Sequence, residues 1–120
     1  MNVFDYKHSP YPIRSDICEA HRVYWSRLAA PGNWWTGAER VGIAAECRAA
    51  KQCTFCEKRK YSHSPYTWAY KHESCSDLPA LAVDAVHRIV TDQTRITQSW
   101  IESNAESGLS VEAYVELSGI

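Results

Sequence analysis

Two cysteines one helical turn apart, Cys53 and Cys56, open the stretch CTFCEKRK. The thiolate, not the thiol, is the nucleophile and metal ligand, and a cysteine in the first turn of a helix faces unpaired N–H groups that favour it. Lys58, Arg59 and Lys60 add positive charge nearby. Two thiols at i and i+3 can close a disulfide if the turn permits, so one reading is a redox-active dithiol. A second is half of a zinc site: with fifteen residues intervening, Cys56 is followed by His72-x-x-Cys75, which completes four ligands of suitable kind, Cys53, Cys56, His72 and Cys75. The strongly helical context of the first pair, and the lack of any glycine between Cys53 and Cys75, weigh against it. A third reading is inert buried thiols. Cys18 and Cys47 read as small core residues. Glu46, in a small and apolar helical context, reads either as an acid of raised pKa serving the thiols or as a surface glutamate paired with a cation. The charged run Glu57-Lys58-Arg59-Lys60 reads as a solvated helix face or as an electrostatic activator.

These residues must be placed by helices. Thr36 with Glu39 three residues on forms a capping box, followed by an alanine-rich helix (Ala38, Ala44, Ala45, Ala49, Ala50) whose small side chains predict a buried, central position. Lys51 and Gln52 mark a break, and Cys53 or Thr54 begins a short second helix. Residues 1–14 read as an extended arm, with Pro10 and Pro12 flanking Tyr11. Ser15 caps a helix to about Ala30, which Pro31-Gly32 ends. Trp34 and Trp35 read as packing residues or, as the lesser alternative, as a substrate wall. Residues 62–77 form a polar, aromatic-rich loop containing Pro65. Asp77 and Pro79 start a helix carrying Leu81, Val83, Val86, Ile89 and Val90, and Asp92-Gln93-Thr94 interrupts it. A further helix runs to Gly108, and Ser110 caps the last, where the apolar pattern breaks off at Ile120. That end implies a short final helix or a truncated form of a longer chain. No stretch alternates as a strand would. The fold class is all-α, a bundle of about five to six helices, with residues 15–120 as one domain.

A chain of 120 residues can hide roughly 65% of its unfolded surface. A net charge of −1 argues against nucleic acid held by bulk electrostatics, and no apolar run approaches the ~20 residues of a membrane span. Five cysteines without an export signal fit reduced or catalytic thiols in the cytoplasm better than a disulfide framework. Five tryptophans and seven tyrosines suit a pocket or a homo-oligomer interface.

The central stretch resembles the AhpD-like alkylhydroperoxidase and carboxymuconolactone decarboxylase superfamily, in a branch described only as alkylhydroperoxidase-related. The marks are WWTGAER (34–40), IAAECRAAKQCTFCEKRK (43–60), HSPY (63–66), VHRIVTDQTRIT (86–97) and GLSVEAYVEL (108–117). The resemblance implies an AhpD-like helical bundle and an antioxidant peroxidase without a bound cofactor. Cys56 would attack the peroxide, Cys53 would resolve it to a disulfide, and a dithiol reductant would restore the pair. It also implies a histidine four residues after the second cysteine and an upstream glutamate as proton relay. Lys60 stands at the first position and Val41 at the second. Lys60 and Arg59 can lower a thiol pKa, but a lysine is a poor proton shuttle near pH 7; His87, inside the fourth matched stretch, reads either as the relay or as a partly buried helix histidine bonded to a backbone carbonyl.

Overall fold

The computed structural model describes residues 4–63 and 72–120. It is helical throughout, with no strand among the described residues. The helices are α1 (Ser15–Leu28), α2 (Gly37–Ala50), α3 (Thr54–Lys60), α4 (Ala80–Thr91), α5 (Gln98–Glu106) and α6 (Val111–Ser118), with a 3-10 turn at Gln93–Arg95 between α4 and α5. The part of the 62–77 loop that contains Pro65, and most of HSPY, lie outside the described residues.

Short-range signals set most of the boundaries. Thr36 accepts from the Glu39 N–H while the Glu39 carboxylate accepts from the Thr36 N–H, which closes the capping box at the start of α2. The chain breaks at Lys51-Gln52, and Cys53 becomes the N-cap of α3 in an extended conformation. Thr97 and Ser110 cap α5 and α6 through their hydroxyls. Gly108 sits at φ 120°, a left-handed conformation that terminates α5 without a Cβ penalty. At α1 the cap is Arg14 rather than Ser15, and its side chain makes no capping bond but pairs with the Asp16 carboxylate of the first turn.

The most enclosed element is α4, not the alanine-rich α2. Every residue from Ala82 to Arg88 is buried, so α4 is covered on all sides. It packs on α2, α3 and α6, and Ile43, Ala82, Ala85, Val86, Trp100, Leu109 and Leu117 form the core with Trp35. In α2 only Ile43, Glu46 and Ala50 are buried. Trp35 is a packing residue, its indole N–H donating to the Ala113 carbonyl at 2.8 Å, whereas Trp34 is exposed. Glu116 on α6 accepts from the backbone N–H groups of Asn33, Trp34 and Trp35 at 2.7, 3.1 and 3.1 Å, so the last helix holds the link between the first two.

The amino-terminal arm differs from the extended segment expected. Phe4 and Tyr6 adopt positive φ, 62° and 53°, and the described part of the arm turns back on α1. Phe4 stacks edge-on to Trp25, and the Tyr6 hydroxyl bonds His21. Ile17, Val23 and Tyr24 of α1 remain exposed, as do Val111 and Val115 of α6.

Candidate functional site

Four side chains that could do chemistry meet where α3, the segment entering α4, and α4 itself come together. Cys53 caps α3 and Cys56 lies in its first turn; both are buried. His87 projects from the fully covered stretch of α4, and His72 comes in from the loop with its side chain 3% exposed. The Sγ atoms of Cys53 and Cys56 and one ring nitrogen each of His72 and His87 all lie within 4.8 Å of one another. Cys56 Sγ is 3.3 Å from His72 Nδ1 and 3.2 Å from His87 Nδ1. Cys53 Sγ is 3.7 Å from His72 Nδ1.

A carboxylate holds each imidazole from behind. His87 Nε2 lies 2.8 Å from Glu46 Oε2, and His72 Nε2 lies 2.7 Å from Asp84 Oδ1. A carboxylate can only accept, so each Nε2 carries a hydrogen and each Nδ1 is the ring nitrogen turned toward the sulfurs. Asp84 is held in turn by the Arg59 guanidinium in a buried ion pair, and Arg59 also lies over the Phe55 ring at 5.3 Å. Arg95 fixes the end of α3 by donating to the carbonyls of Arg59, Lys60 and Ser62.

Glu46 shows why α2 matters. Its Oε1 accepts from the Ser74 hydroxyl (2.7 Å), the Cys75 N–H (2.9 Å) and the Ser76 hydroxyl (2.7 Å), while Oε2 takes His87. Burial pushes this carboxyl up, but the bonds from His87, Ser76, Ser74 and the Cys75 N–H outweigh it and bring it down to about 2. Both readings the sequence offered, an acid of raised pKa and an exposed glutamate paired with a surface cation, are therefore corrected: Glu46 is a buried acceptor, ionised at neutral pH. Burial likewise opposes ionisation of Asp84, and His72 and Arg59 overcome it, holding its carboxyl below the usual range. His87 is shifted down, chiefly by burial and only partly offset by its bond to Glu46, so it is a neutral imidazole at pH 7.

The two thiols are shifted in opposite directions. Burial raises Cys53, but the Glu73 N–H, the Cys56 N–H and His72 more than compensate, so its pKa lies below the ordinary value. Burial and the neighbouring Cys53 push Cys56 up to about 12. A cleft of about 360 Å³ reaches both cysteines and is lined also by Gln52, Lys60, Tyr61 and Thr91.

Of the residues singled out in the sequence, Cys53, Cys56, Glu46, His87 and His72 come together. Cys75 does not: it is exposed and meets the site only at Glu46, which accepts its backbone N–H, while burial and the Glu46 carboxylate push its thiol up. His72-x-x-Cys75 spans a loop that turns toward Glu46 after His72, so His87, not Cys75, is the fourth group beside the sulfurs. Lys60 is exposed at the rim of the cleft. The run 57–60 is not a uniformly solvated face, because Arg59 is 1% exposed and bound to Asp84. Asp84 was missed as a site residue, and with it the buried pairing of Arg59; the available signal was a lone acid three residues before His87 within the apolar run 81–90. Comparison of the chain with protein-family models, with curated proteins and with solved structures found no match.

Proposed function

We propose that this protein is a dithiol oxidoreductase of the peroxidase-like kind, its chemistry carried by Cys53 and Cys56 with His87 as proton acceptor. The single observation that carries the reading is the line Cys56–His87–Glu46: a thiol 3.2 Å from an imidazole lone pair whose far nitrogen is tied to a buried carboxylate. This is the arrangement of nucleophile, base and orienting group used in thiol catalysis. The AhpD-like resemblance supplies the same kind of relay from residues that this chain lacks at Lys60 and Val41.

The resemblance gives the attack on peroxide to Cys56, but the opposed pKa shifts favour the other order. Cys53, the readier thiolate, attacks one peroxide oxygen. The O–O bond breaks, the alkoxide leaves and takes a proton from solvent, and Cys53 becomes a sulfenic acid. Cys56 then gives its thiol proton to His87 Nδ1 and attacks the Cys53 sulfur. Hydroxide departs and takes the proton from His87 as water, leaving a disulfide. The step brings two sulfurs that lie within 4.8 Å to a bond length of about 2.05 Å. An external dithiol reduces the bridge by exchange. The exposed apolar side chains of α1 and α6 suit a homo-oligomer.

The test uses metal-free protein carrying Cys75→Ser, so that the exposed thiol does not contribute. Adding peroxide is expected to remove two thiols per peroxide. Cys56→Ser is expected to stop at a sulfenic acid on Cys53 that dimedone traps, and Cys53→Ser to slow peroxide consumption by at least tenfold. Peroxide consumption at the parent rate in both single variants would refute the reading.

A further inference from the structure

We propose that Cys53, Cys56, His72 and His87 form a closed four-ligand site for a zinc ion, two sulfurs and two Nδ1 nitrogens converging on one point between α3 and α4. Zinc bound at about 2.3 Å to sulfur and about 2.0–2.1 Å to nitrogen in tetrahedral geometry separates its S and N ligands by about 3.5 Å. The three spacings here, 3.2, 3.3 and 3.7 Å, straddle that edge length. The donors come from three separate pieces of chain, the α3 turn, the loop at His72 and the middle of α4, so the convergence is not a by-product of one local motif.

The surroundings fit the same ion. Each histidine is backed by a carboxylate on Nε2, the carboxylate–histidine–metal arrangement that fixes the tautomer and turns the other nitrogen toward the metal. Each of those carboxylates is itself held, Asp84 by Arg59 and Glu46 by Ser74, Ser76 and the Cys75 N–H. Two thiolates and two neutral imidazoles give a neutral centre with a divalent ion, which suits a site whose four side chains are almost fully enclosed. Mixed sulfur and nitrogen donors in tetrahedral array select zinc over the hard cations, which need oxygen. The ion would join α3 and the incoming loop to α4. With both sulfurs engaged the thiols would be protected from peroxide, so metal occupancy and disulfide formation exclude one another.

The inference does not rest on the redox reading, and its test reads metal rather than oxidation. Reduced full-length protein is stripped with chelator and titrated with zinc, then with cobalt(II) as a coloured probe. One zinc per chain is expected, with a cobalt form showing the intense visible bands of a tetrahedral ion and the near-ultraviolet charge-transfer absorption of two thiolates. Glu46→Gln, which leaves every ligand in place, is expected to weaken zinc by roughly 10- to 100-fold. His87→Gln is expected to weaken it further, and Cys75→Ser to leave it unchanged. No stoichiometric zinc in folded parent protein, or a cobalt spectrum without thiolate charge transfer, would overturn the site. Loss of binding in Cys75→Ser with His87→Gln unaffected would also overturn it. If His87→Gln does not fold, the parent's cobalt spectrum decides, since its charge-transfer intensity grows with each bound sulfur, and an intensity of fewer than two overturns the site.

Discussion

Replacing Glu46 by glutamine tests the link between the buried carboxylate and the fold. The carboxyl is fully buried and is brought from 4.5 to about 2. At about 1.4 kcal/mol for each tenfold change in acidity, that corresponds to roughly 3 kcal/mol of folding free energy. The folded-state value is depressed, so this contribution is fully present above pH 4.5 and is lost as pH falls toward 2. Glutamine keeps the shape and can still accept from Ser74, Ser76 and the Cys75 N–H, but it has no charge and turns an amide N–H toward His87. In metal-free protein at pH 7, urea unfolding should show Glu46→Gln less stable by roughly 3 kcal/mol, a midpoint shift of about 1.5 M at an m-value near 2 kcal/mol/M. At pH 3 the gap should narrow to roughly 1 kcal/mol, because the unfolded-state carboxyl of the parent is by then almost fully protonated. A gap of the same size at both pH values would mean that lost shape and not lost charge is responsible. No gap at pH 7 would mean that the carboxyl is not ionised in the folded protein.

Two further perturbations probe other parts of the frame. Arg59→Met leaves Asp84 buried with only His72 as partner, and breaking such a pair costs about 3–5 kcal/mol. A thermal melt should fall by more than about 10 °C, and a change within 2 °C would show that the ion pair contributes nothing net. A Cβ on Gly37 would stand 2.2 Å from the Ala29 carbonyl oxygen, where backbone rather than a flexible side chain would have to move. Gly37→Ala should therefore cost about 1–3 kcal/mol in chemical denaturation, and unchanged stability would mean that the α1–α2 junction is loose.

What the sequence disclosed were signals complete within a few residues. The capping box of Thr36 and Glu39 and the Ser110 cap join groups three positions apart, and the break at Lys51-Gln52 and the left-handed Gly108 are set by one or two residues. Chemistry shared across helices was harder to see. Cys56 and His87 are 31 positions apart and on different elements, and spacing alone offered the nearer Cys75 as the fourth group. Arg59 looked solvated because three of the four residues in its run are exposed, and only the fold supplies the buried Asp84 that neutralises it. The alanines of α2 suggested a central helix, yet small residues permit close approach without requiring coverage on every side. The helix that is covered on every side carries an acid, a histidine and an arginine in the middle of its apolar pattern.

The Glu116 carboxylate has a consequence for the order in which the chain assembles. It receives N–H groups from a turn 81 to 83 positions upstream, so that turn stays hydrated until the residues of α6 are available. Such a distant closure comes late, after the local helices have formed. During synthesis the turn before Thr36 would be an open hinge long after its own residues have left the ribosome. Protease pulses on stalled chains of increasing length should then cut it until the segment bearing Glu116 emerges, and not afterwards.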